Sequence, residues 1–519
     1  MTVCAVTAIA GCAASARAKL DAGTQSTVAR GEAGPRMDPD AAIIARSVDS
    51  LTALAVGEGL APALGVAITM DGRTIYAKSH GSADVTNSVP VDDRTLWYVA
   101  STSKSFTGFG IALLAERGAL RIDAPITTLL PNARWHAAAR PESLTLAHFL
   151  SHTHRLNDNA VVMSAAFTGA IPESRWPELI ALAGPQPTND LIYGNFGYNV
   201  AAMVIDRLRP EGWKRFLEQE VFRPAGMRET YARVSGLERR IAKPHDFGAD
   251  GKYTTQPFFK TDATMNSAGG HVATLGDLAR WTIVQMDSGV IDGRRVFPAG
   301  AIATSHRLIA RQTREQAKRF AFFDREGWGA GWDVGAYEGE PMVSRFGSYS
   351  TTRSHLSFLP RRRIGAVVMS SGGLSALTDI IAAYAYDMEA GRPDAQARVA
   401  ERMADLRRQW AGARQRAAVQ DSVRAARQRQ PLDRPLTDFA GTYEEPSYGR
   451  VEFTVDGNRI AFRWGTLYGP AEIFDAAQHQ LRFEIAGSGN IATFNFAGPG
   501  PAQSLEWQGV RFLQLTPRR

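Results

Sequence analysis

The sequence predicts an α/β sandwich that is interrupted by a helical insertion and followed by a small antiparallel β-barrel or sandwich. Strand patterns lie near both ends of the first part, at residues 65–78 and 328–369, and a helix-rich stretch separates them. Such a pattern is typical of one sheet built from the two ends of a segment and covered by helices. Short alternating apolar runs recur from residue 436 onward, which predicts the second, all-β part.

Local patterns place the elements of the first part. Residues 65–70 and 73–78 flank Asp71 and Gly72, a pair typical of a tight β-hairpin turn. A helix is predicted at residues 376–388. Further strands are predicted at residues 328–334, 342–344, 354–359 and 364–369.

The C-terminal third begins with a strongly basic segment. Residues 391–430 hold ten arginines and four acidic residues, which indicates a solvated linker helix that ends before Pro431. The strands of the all-β part are predicted at residues 450–455, 459–463, 480–485, 493–496 and 512–515.

The composition of the 519-residue chain excludes several classes of protein. The formal net charge is +7, but 51 arginines against 8 lysines indicate a biased codon composition rather than a phosphate-binding face, so nucleic acid is not an expected partner. The mean hydropathy of −0.20 excludes a polytopic membrane protein. Cys4 and Cys12 are the two cysteines, so the body of the chain has no disulfide framework, thiolate metal site or cysteine nucleophile.

The N-terminal residues predict an export signal of the lipoprotein kind. Residues 9–12, Ile-Ala-Gly-Cys, resemble a bacterial lipobox, which implies lipidation of Cys12 and a tether over residues 13–37. We therefore expect an exported protein, periplasmic or anchored to the envelope. Residues 1–3 lack a basic charge, so a start site further upstream and a simple alanine-rich tail stay open.

The chemically informative stretch is residues 97–108, Trp-Tyr-Val-Ala-Ser-Thr-Ser-Lys-Ser-Phe-Thr-Gly. Lys104 is the only charged residue between Arg94 and Glu116, inside a run that predicts a buried helix. Ser101, three residues earlier, shares its helix face. Burial lowers the pKa of a lysine, so Lys104 is suited to accept the proton of a Ser101 nucleophile. The alternative is a lysine that extends from a core helix to solvent.

The motifs around this pair resemble those of the serine β-lactamase and penicillin-binding-protein superfamily, in the branch of class C β-lactamases, esterases and D-amino-acid peptidases. Besides Ser101-x-x-Lys104, the similar segments are residues 90–97, 144–153, 193–198, 267–270 and 275–278. The resemblance covers roughly residues 45–388. It implies an antiparallel sheet flanked by helices, an all-helical insertion, and catalysis through an acyl-enzyme.

The resemblance also implies roles for single residues. Ser101 is the expected nucleophile, Lys104 its base, Tyr193 a second proton relay, and Asn195 a ligand of the substrate's amide or carbonyl. The family's third motif, usually Lys-Thr-Gly or His-x-Gly on an edge strand, aligns with residues 345–348.

In this third motif, Arg345 and Gly347 are expected to bind substrate. The N–H of Ser348 is expected to complete an oxyanion hole with the N–H of Ser101.

Two departures from the family pattern shape the expected function. Arg345 and Phe346 replace the usual lysine and hydroxyl residue, which disfavours a true β-lactamase and favours an esterase or peptidase. His154 and Arg155 stand where Ser-Gly is common. The spacing of His148, His152 and His154, with Asp158 beyond, partly mimics a metal site, but two of these histidines belong to a family segment that needs no metal.

The C-terminal segment, including residues 438–443 and 448–451, resembles the lipocalin-like barrel of some related peptidases and esterases. The expected organisation is a signal and tether (1–37), a serine hydrolase domain (38–390), a basic helical linker (391–435) and the barrel (436–519). The expected function is hydrolysis of small ester, amide or peptide substrates, including D-amino-acid ones, through an acyl-enzyme. We expect neither cofactor nor metal. A non-catalytic receptor for peptides or peptidoglycan fragments is the alternative, and the oligomeric state stays open.

Overall fold

The computed structural model describes residues 39–157, 159–186, 193–317 and 322–515. Cys12, with the expected signal and tether, and Asp158 lie outside these residues. In the described part, no helix combines the length and the apolar character that a membrane crossing requires.

Helices and short strands dominate the middle of the chain, and longer strands lie on either side of it. The helices are α1 (Pro39–Gly57), α2 (Ser103–Glu116), α3 (Ile126–Leu129), α4 (Leu146–Leu150), α5 (Asn159–Met163), α6 (Trp176–Leu179), α7 (Phe196–Leu208), α8 (Gly212–Leu217), α9 (Leu275–Met286), α10 (Ala299–His306), α11 (Arg314–Ala317), α12 (Ala376–Glu389) and α13 (Ala395–Arg427). The strands before α12 are β1 (Ala63–Met70), β2 (Arg73–Asp84), β3 (Val89–Pro90), β4 (Trp97–Tyr98), β5 (Leu156–Asn157), β6 (Gly184–Pro185), β7 (Thr230–Tyr231), β8 (His245–Phe247), β9 (Tyr253–Thr255), β10 (Val272–Ala273), β11 (Val290–Ile291), β12 (Arg294–Arg295), β13 (Ala310–Arg311), β14 (Asp324–Trp328), β15 (Asp333–Tyr337), β16 (Glu340–Tyr349), β17 (Thr352–Leu359) and β18 (Ile364–Ser370). The strands after α13 are β19 (Gly441–Glu445), β20 (Gly449–Asp456), β21 (Arg459–Trp464), β22 (Leu467–Asp475), β23 (Gln480–Ile485), β24 (Ser488–Asn495), β25 (Ser504–Trp507) and β26 (Val510–Gln514).

One antiparallel sheet joins the two ends of the first part, as the sequence predicts. Its order in the described residues is β13-β14-β15-β16-β17-β18-β1-β2-β3, and β1 pairs with β18 through Leu64 opposite Ser370. The α1 and α12 helices cover one face and α2 and α9 lie on the other. Apolar side chains therefore leave water on both faces, which is the main source of stability for such a layered domain.

The strand predicted at residues 328–334 is wrong in its bounds. Strand β14 ends at Trp328 and β15 begins at Asp333, with a turn between them. Gly331 adopts φ +91° in this turn, and a Cβ there would lie 2.2 Å from the Lys104 carbonyl oxygen. Glycine permits this turn, because a residue with a Cβ could not adopt this φ so close to α2.

The motif at residues 345–348 lies on β16, which pairs with β15 on one side and β17 on the other. The pairing with β15 covers only residues 340–344, so in the described residues the motif itself pairs with β17 alone and lies at an open edge, in agreement with the expected edge position. Helix α2 ends at Glu116, and Gly118, with φ +74°, follows as the left-handed cap.

The basic segment forms the long helix α13, but its first half is packed rather than solvated. Val399, Met403, Leu406 and Trp410, at helical spacing, are buried against the α1 and α12 layer. Several arginines bind carboxylates of neighbouring elements, as Arg407 does with Glu58 at 2.8 Å. Much of the charge that stood out in the sequence therefore attaches the helix to the rest of the chain.

The C-terminal part is a closed antiparallel barrel in the order β19 to β26. Strand β19 closes it by pairing with β26 through Tyr443 and Gln514. The sequence predicts the strands that alternate clearly but misses β19, β22 and β25. The barrel touches the helical insertion, where Thr466 N donates to the Thr168 carbonyl at 2.8 Å.

Candidate active site

Ser101 lies in a short 3₁₀ turn, Ala100–Thr102, that leads into α2. Ala100 adopts φ +46°, a left-handed conformation that is costly for a residue with a side chain. Gly347 of β16 packs against the turn: a Cβ on it would lie 2.8 Å from the Ser101 nitrogen and 2.5 Å from the Val99 carbonyl oxygen. Any side chain at residue 347 would separate β16 from the turn that presents Ser101.

Lys104 is fully buried on the first turn of α2 and donates three hydrogen bonds. Its Nζ lies 3.1 Å from Ser101 Oγ, 2.7 Å from Asn195 Oδ1 and 2.9 Å from the Ala268 carbonyl oxygen. Burial lowers the pKa of Lys104 to about 8, opposed by the attraction of Tyr193 and assisted by the repulsion of Arg345. The lysine can therefore lose its proton near neutral pH.

Tyr193 and Asn195 lie just before α7, which begins at Phe196. The Tyr193 hydroxyl accepts a hydrogen bond from Arg345 Nη2. The residue is 43 % exposed, so its hydroxyl reaches the buried cations from the solvent side. Burial of the hydroxyl raises its pKa, but the charges of Arg345 and Lys104 together lower the pKa of Tyr193 below the ordinary value.

Arg345 connects the nucleophile turn with Tyr193. It is 2 % exposed, and its Nε donates to the Ser101 carbonyl oxygen at 3.1 Å. Arg345 and Gly347 share one face of β16, since side chains alternate along a strand. Phe346 packs on the opposite face against Phe323 and His355, so the family departure at residue 346 places no apolar group beside Ser101.

Two charged residues that sequence reasoning missed complete this side of the site. Asp333 Oδ2 lies 3.3 Å from Arg345 Nη1, and its other oxygen forms an ion pair with Arg325. Both ion pairs are largely withdrawn from solvent, with Asp333 1 % exposed and the Arg325 side chain 9 % exposed. Asp333 lies at the start of β15, inside the segment for which the sequence predicts a single strand.

The three histidines of the possible metal cluster are each engaged by the backbone. His148 Nδ1 accepts from Thr145 N at 3.0 Å, His152 Nδ1 from Gly194 N at 3.4 Å, and His154 Nδ1 from Leu156 N at 3.1 Å. Burial lowers the pKa of His154 to about 4, so its ring is neutral near neutral pH. In the described ranges no three metal-ligating side chains lie together.

His152 nevertheless lies in the site. Its ring centroid is 4.5 Å from that of Tyr193, and burial with repulsion from Arg345 and Lys104 lowers its pKa well below the ordinary value. A neutral ring therefore supports the Tyr193 side chain without adding charge. In the sequence, the one indication that His152 belongs to the site is its place in residues 144–153, a segment similar to that of the family.

Ser348 follows Gly347 at the exposed end of the motif. Since Gly347 approaches the Ser101 nitrogen closely, the backbone of residues 347 and 348 lies beside the nucleophile turn. An oxyanion hole formed by the N–H groups of Ser101 and Ser348 stays a prediction.

The fold brings together Ser101 and Lys104 at the start of α2, Tyr193 and Asn195 before α7, and Arg345 on β16. The arrangement offers a hydroxyl, an amine that can be neutral, and a phenol held beside two cations. Such a set can activate a nucleophile and move protons to and from a reacting group.

A sequence model of the family described as Beta-lactamase matches residues 44–391. The chain belongs to the beta-lactamase family. The match spans the sheet, the helical insertion and each residue of the candidate site, and it ends before α13.

The chain is also similar to individual relatives and solved structures. Penicillin-binding protein 4 of Amycolatopsis lactamdurans is 24 % identical over 330 residues, which are 62 % of this chain and 84 % of the relative. The octameric penicillin-binding protein homologue of Pyrococcus abyssi has a TM-score of 0.58 at 18 % identity, covering 90 % of this chain and 99 % of the homologue. The D-amino acid amidase of Ochrobactrum anthropi SV3 has a TM-score of 0.53 at 19 % identity, covering 70 % and 99 %. These two likenesses show the fold.

Proposed function

We propose that this beta-lactamase family member is a serine hydrolase that cleaves small esters, amides or peptides through an acyl-enzyme at Ser101. The observation that carries the proposal is the contact of Lys104 Nζ with Ser101 Oγ at 3.1 Å, in a site where Lys104 is fully buried. A buried ammonium is costly, so this lysine is poised to become a neutral base.

The hydrogen bonds of Lys104 orient that base. A neutral amine keeps two N–H groups, and Asn195 Oδ1 and the Ala268 carbonyl are two further acceptors within reach. If those two oxygens hold the N–H groups, the nitrogen lone pair points at Ser101 Oγ. The hydroxyl proton then moves to Nζ as Oγ forms a bond to the substrate carbonyl carbon, and the carbonyl oxygen becomes the oxyanion.

Collapse of this intermediate breaks the bond to the leaving group, which takes a proton from Lys104 or Tyr193. Water then attacks the acyl carbon and passes a proton to Lys104 or Tyr193. That proton moves on to Ser101 Oγ as the acyl–oxygen bond breaks, which releases the acid and restores Ser101. Tyr193 suits this relay because the charge of Arg345, joined by that of Lys104 once it has taken the serine proton, stabilises its phenolate.

The contacts of Arg345 favour a substrate without a carboxylate at this position. Its guanidinium already donates to the Ser101 carbonyl, Asp333 and Tyr193. A guanidinium engaged in this way supports the catalytic groups more readily than it clamps a substrate carboxylate. Neutral esters and amides are therefore the preferred class, and a β-lactam is the weaker candidate. The likeness to a D-amino acid amidase makes D-amino-acid amides a reasonable group to test.

The proposal is tested with p-nitrophenyl esters, D- and L-amino-acid amides and a chromogenic cephalosporin, each assayed with wild type and Ser101→Ala. We expect ester or amide turnover that Ser101→Ala abolishes, and stoichiometric labelling of the wild type by a fluorophosphonate. Equal turnover by both proteins would contradict the mechanism. Saturable binding of peptides without labelling would favour the receptor alternative.

We also propose that the protein is exported and lipidated at Cys12. The lipobox-like residues 9–12 motivate this proposal. Metabolic labelling with a palmitate analogue in a bacterial host is expected to mark the wild type and not Cys12→Ala. Equal labelling of both would contradict it.

A further inference from the structure

We propose that Asp333 is a positioning residue of this site: it fixes the Arg345 guanidinium between the Ser101 turn and Tyr193, while Arg325 neutralises its second oxygen. The inference rests on the proposed function for its catalytic consequence. Asp333 and Arg325 touch none of the expected reacting atoms, so they act through Arg345.

The three side chains form a buried clamp in which one carboxylate pairs with two guanidinium groups. Strands β14, β15 and β16 are neighbours in the sheet and supply Arg325, Asp333 and Arg345 in that order. Asp333 lies between the two guanidinium groups, with one oxygen toward each. Separating a buried charge from its partner costs much free energy. The Asp333 carboxylate therefore restrains both guanidinium groups in their observed positions.

Arg345 has a long side chain that a carboxylate can hold in one position, and its other hydrogen-bond partners are not carboxylates. They are the Ser101 carbonyl and the Tyr193 hydroxyl. The fork geometry of a guanidinium makes its direction matter: with Nη1 on Asp333, Nε meets the nucleophile turn and Nη2 meets Tyr193.

Arg325 keeps the clamp from cancelling the effect that Arg345 has on the site. A single carboxylate beside Arg345 would offset its positive charge at Tyr193 and Lys104. With Arg325 on the second oxygen, the three groups retain a net charge of about +1. The positive field that favours the Tyr193 phenolate and the neutral Lys104 therefore survives the pairing.

The first test is a titration that does not require turnover. The difference in phenolate absorbance at alkaline pH between a protein and its Tyr193→Phe counterpart reports the pKa of Tyr193 alone. We expect Arg325→Gln to raise this pKa, since a cation is removed, and Arg325→Lys to leave it near the wild-type value. An unchanged titration in Arg325→Gln would overturn the clamp.

The second test is a double-mutant cycle on kcat/KM for the best ester. We expect Asp333→Asn to lower kcat/KM on the order of 10- to 100-fold, because the groups around Ser101 are misplaced. In an Arg345→Gln background the same change should cost nothing further. Losses that multiply in the double variant would overturn the proposal.

Asp387 provides the matched control. It is also 1 % exposed and binds arginines of α13, Arg398 at 3.1 Å and Arg402 at 3.2 Å, away from the site. We expect Asp387→Asn to leave the kcat/KM of the folded protein unchanged, and an equal loss there would overturn a specific role for Asp333. If Asp333→Asn fails to fold, Arg325→Gln/Asp333→Asn removes both charges together and takes its place in the cycle. Absence of an acyl adduct in the wild type would contradict the proposed function, and the titration would still decide the clamp.

Discussion

Lys104 and Lys260 are both buried in the described part of this molecule, and they differ in what surrounds their nitrogen. Lys104 Nζ contacts three oxygens, one of them Ser101 Oγ. Lys260 Nζ donates to the Ala166 carbonyl and otherwise lies against aromatic rings, 4.3 Å from the centroid of Tyr349 and 5.6 Å from that of Tyr98. Burial lowers the pKa of Lys104 to about 8 and that of Lys260 to about 7.

These two lysines separate two properties that are easily confused. Burial alone is enough to make a lysine a weak cation, and Lys260 shows the effect as clearly as Lys104 does. A base also needs a proton donor in reach and fixed N–H groups that aim its lone pair. Only Lys104 of this pair contacts a serine hydroxyl, so we assign the chemistry to it and a structural part to Lys260.

The sharpest expected difference is in activity after each lysine loses its amine. We expect Lys104→Met to lower kcat/KM about 10³-fold, because Ser101 loses its general base. Lys260→Met should stay within about threefold of wild type, since no reacting group contacts that nitrogen. Ester hydrolysis by the two purified variants, checked for folding by circular dichroism, decides this. Equal losses would mean that burial, and not the Ser101 contact, marks the base.

Removing the hydroxyl of Tyr193 should have the next largest effect. We expect Tyr193→Phe to lower kcat about 10²-fold, since a proton relay is lost while the ring still packs against His152. The paired comparison is Tyr349→Phe, whose ring lies beside Lys260. That change should leave kcat near the wild-type value, and a similar loss in both variants would remove the distinction.

A smaller effect should follow from charge placed beside Lys104. The proposed base works when neutral, so the rate of acylation should rise with pH through the pKa of Lys104, about 8. Asn195→Asp keeps an acceptor oxygen 2.7 Å from Nζ in the wild-type geometry but adds a negative charge, which raises the pKa of Lys104. The rise should therefore move to higher pH, with a loss of about fivefold at pH 8 for a shift of one unit. A pH–rate profile that keeps its wild-type position would contradict Lys104 as the base.

The smallest expected effect concerns stability at Lys260. Its pKa of about 7 in the folded protein lies below the ordinary 10.5, so between these values the unfolded chain binds the additional proton. Stability should then rise with pH over this window, and Lys260→Met should lack that part of the rise. Urea unfolding of both proteins at pH 6.5 and pH 9 gives the comparison. A difference between them that does not change with pH would show that Lys260 has an ordinary pKa.

The sequence carried much of the site because its strongest signal is local. Ser101 and Lys104 are three residues apart, and a charge in an apolar helix is visible without a structure. The sheet was predictable for the same reason, since the turn at Asp71-Gly72 and the short, largely buried runs that became β17 and β18 are visible in the local sequence.

What the sequence did not reveal depends on distant contacts. Asp333 is relevant to the site because it contacts Arg345. Arg345 in turn contacts Tyr193, 152 positions away in the chain. The turn at Gly331 breaks a predicted strand because α2 approaches it there, and α2 is more than 200 positions away along the chain. The many arginines of α13 predicted a solvated helix. Its first half is packed, however, and Val399, Met403 and Leu406 follow the helical spacing of a buried face.

The central claim is that Lys104 activates Ser101, and the rate of acylation at that serine tests it most directly. A fluorophosphonate is reacted with wild type, Lys104→Met, Lys260→Met and Ser101→Ala, and the adduct is followed by intact mass and peptide mapping. We expect one adduct on Ser101, formed at similar rates in wild type and Lys260→Met, slowed about 10³-fold in Lys104→Met and absent in Ser101→Ala. An adduct on another residue, or equal rates in wild type and Lys104→Met, would contradict the claim.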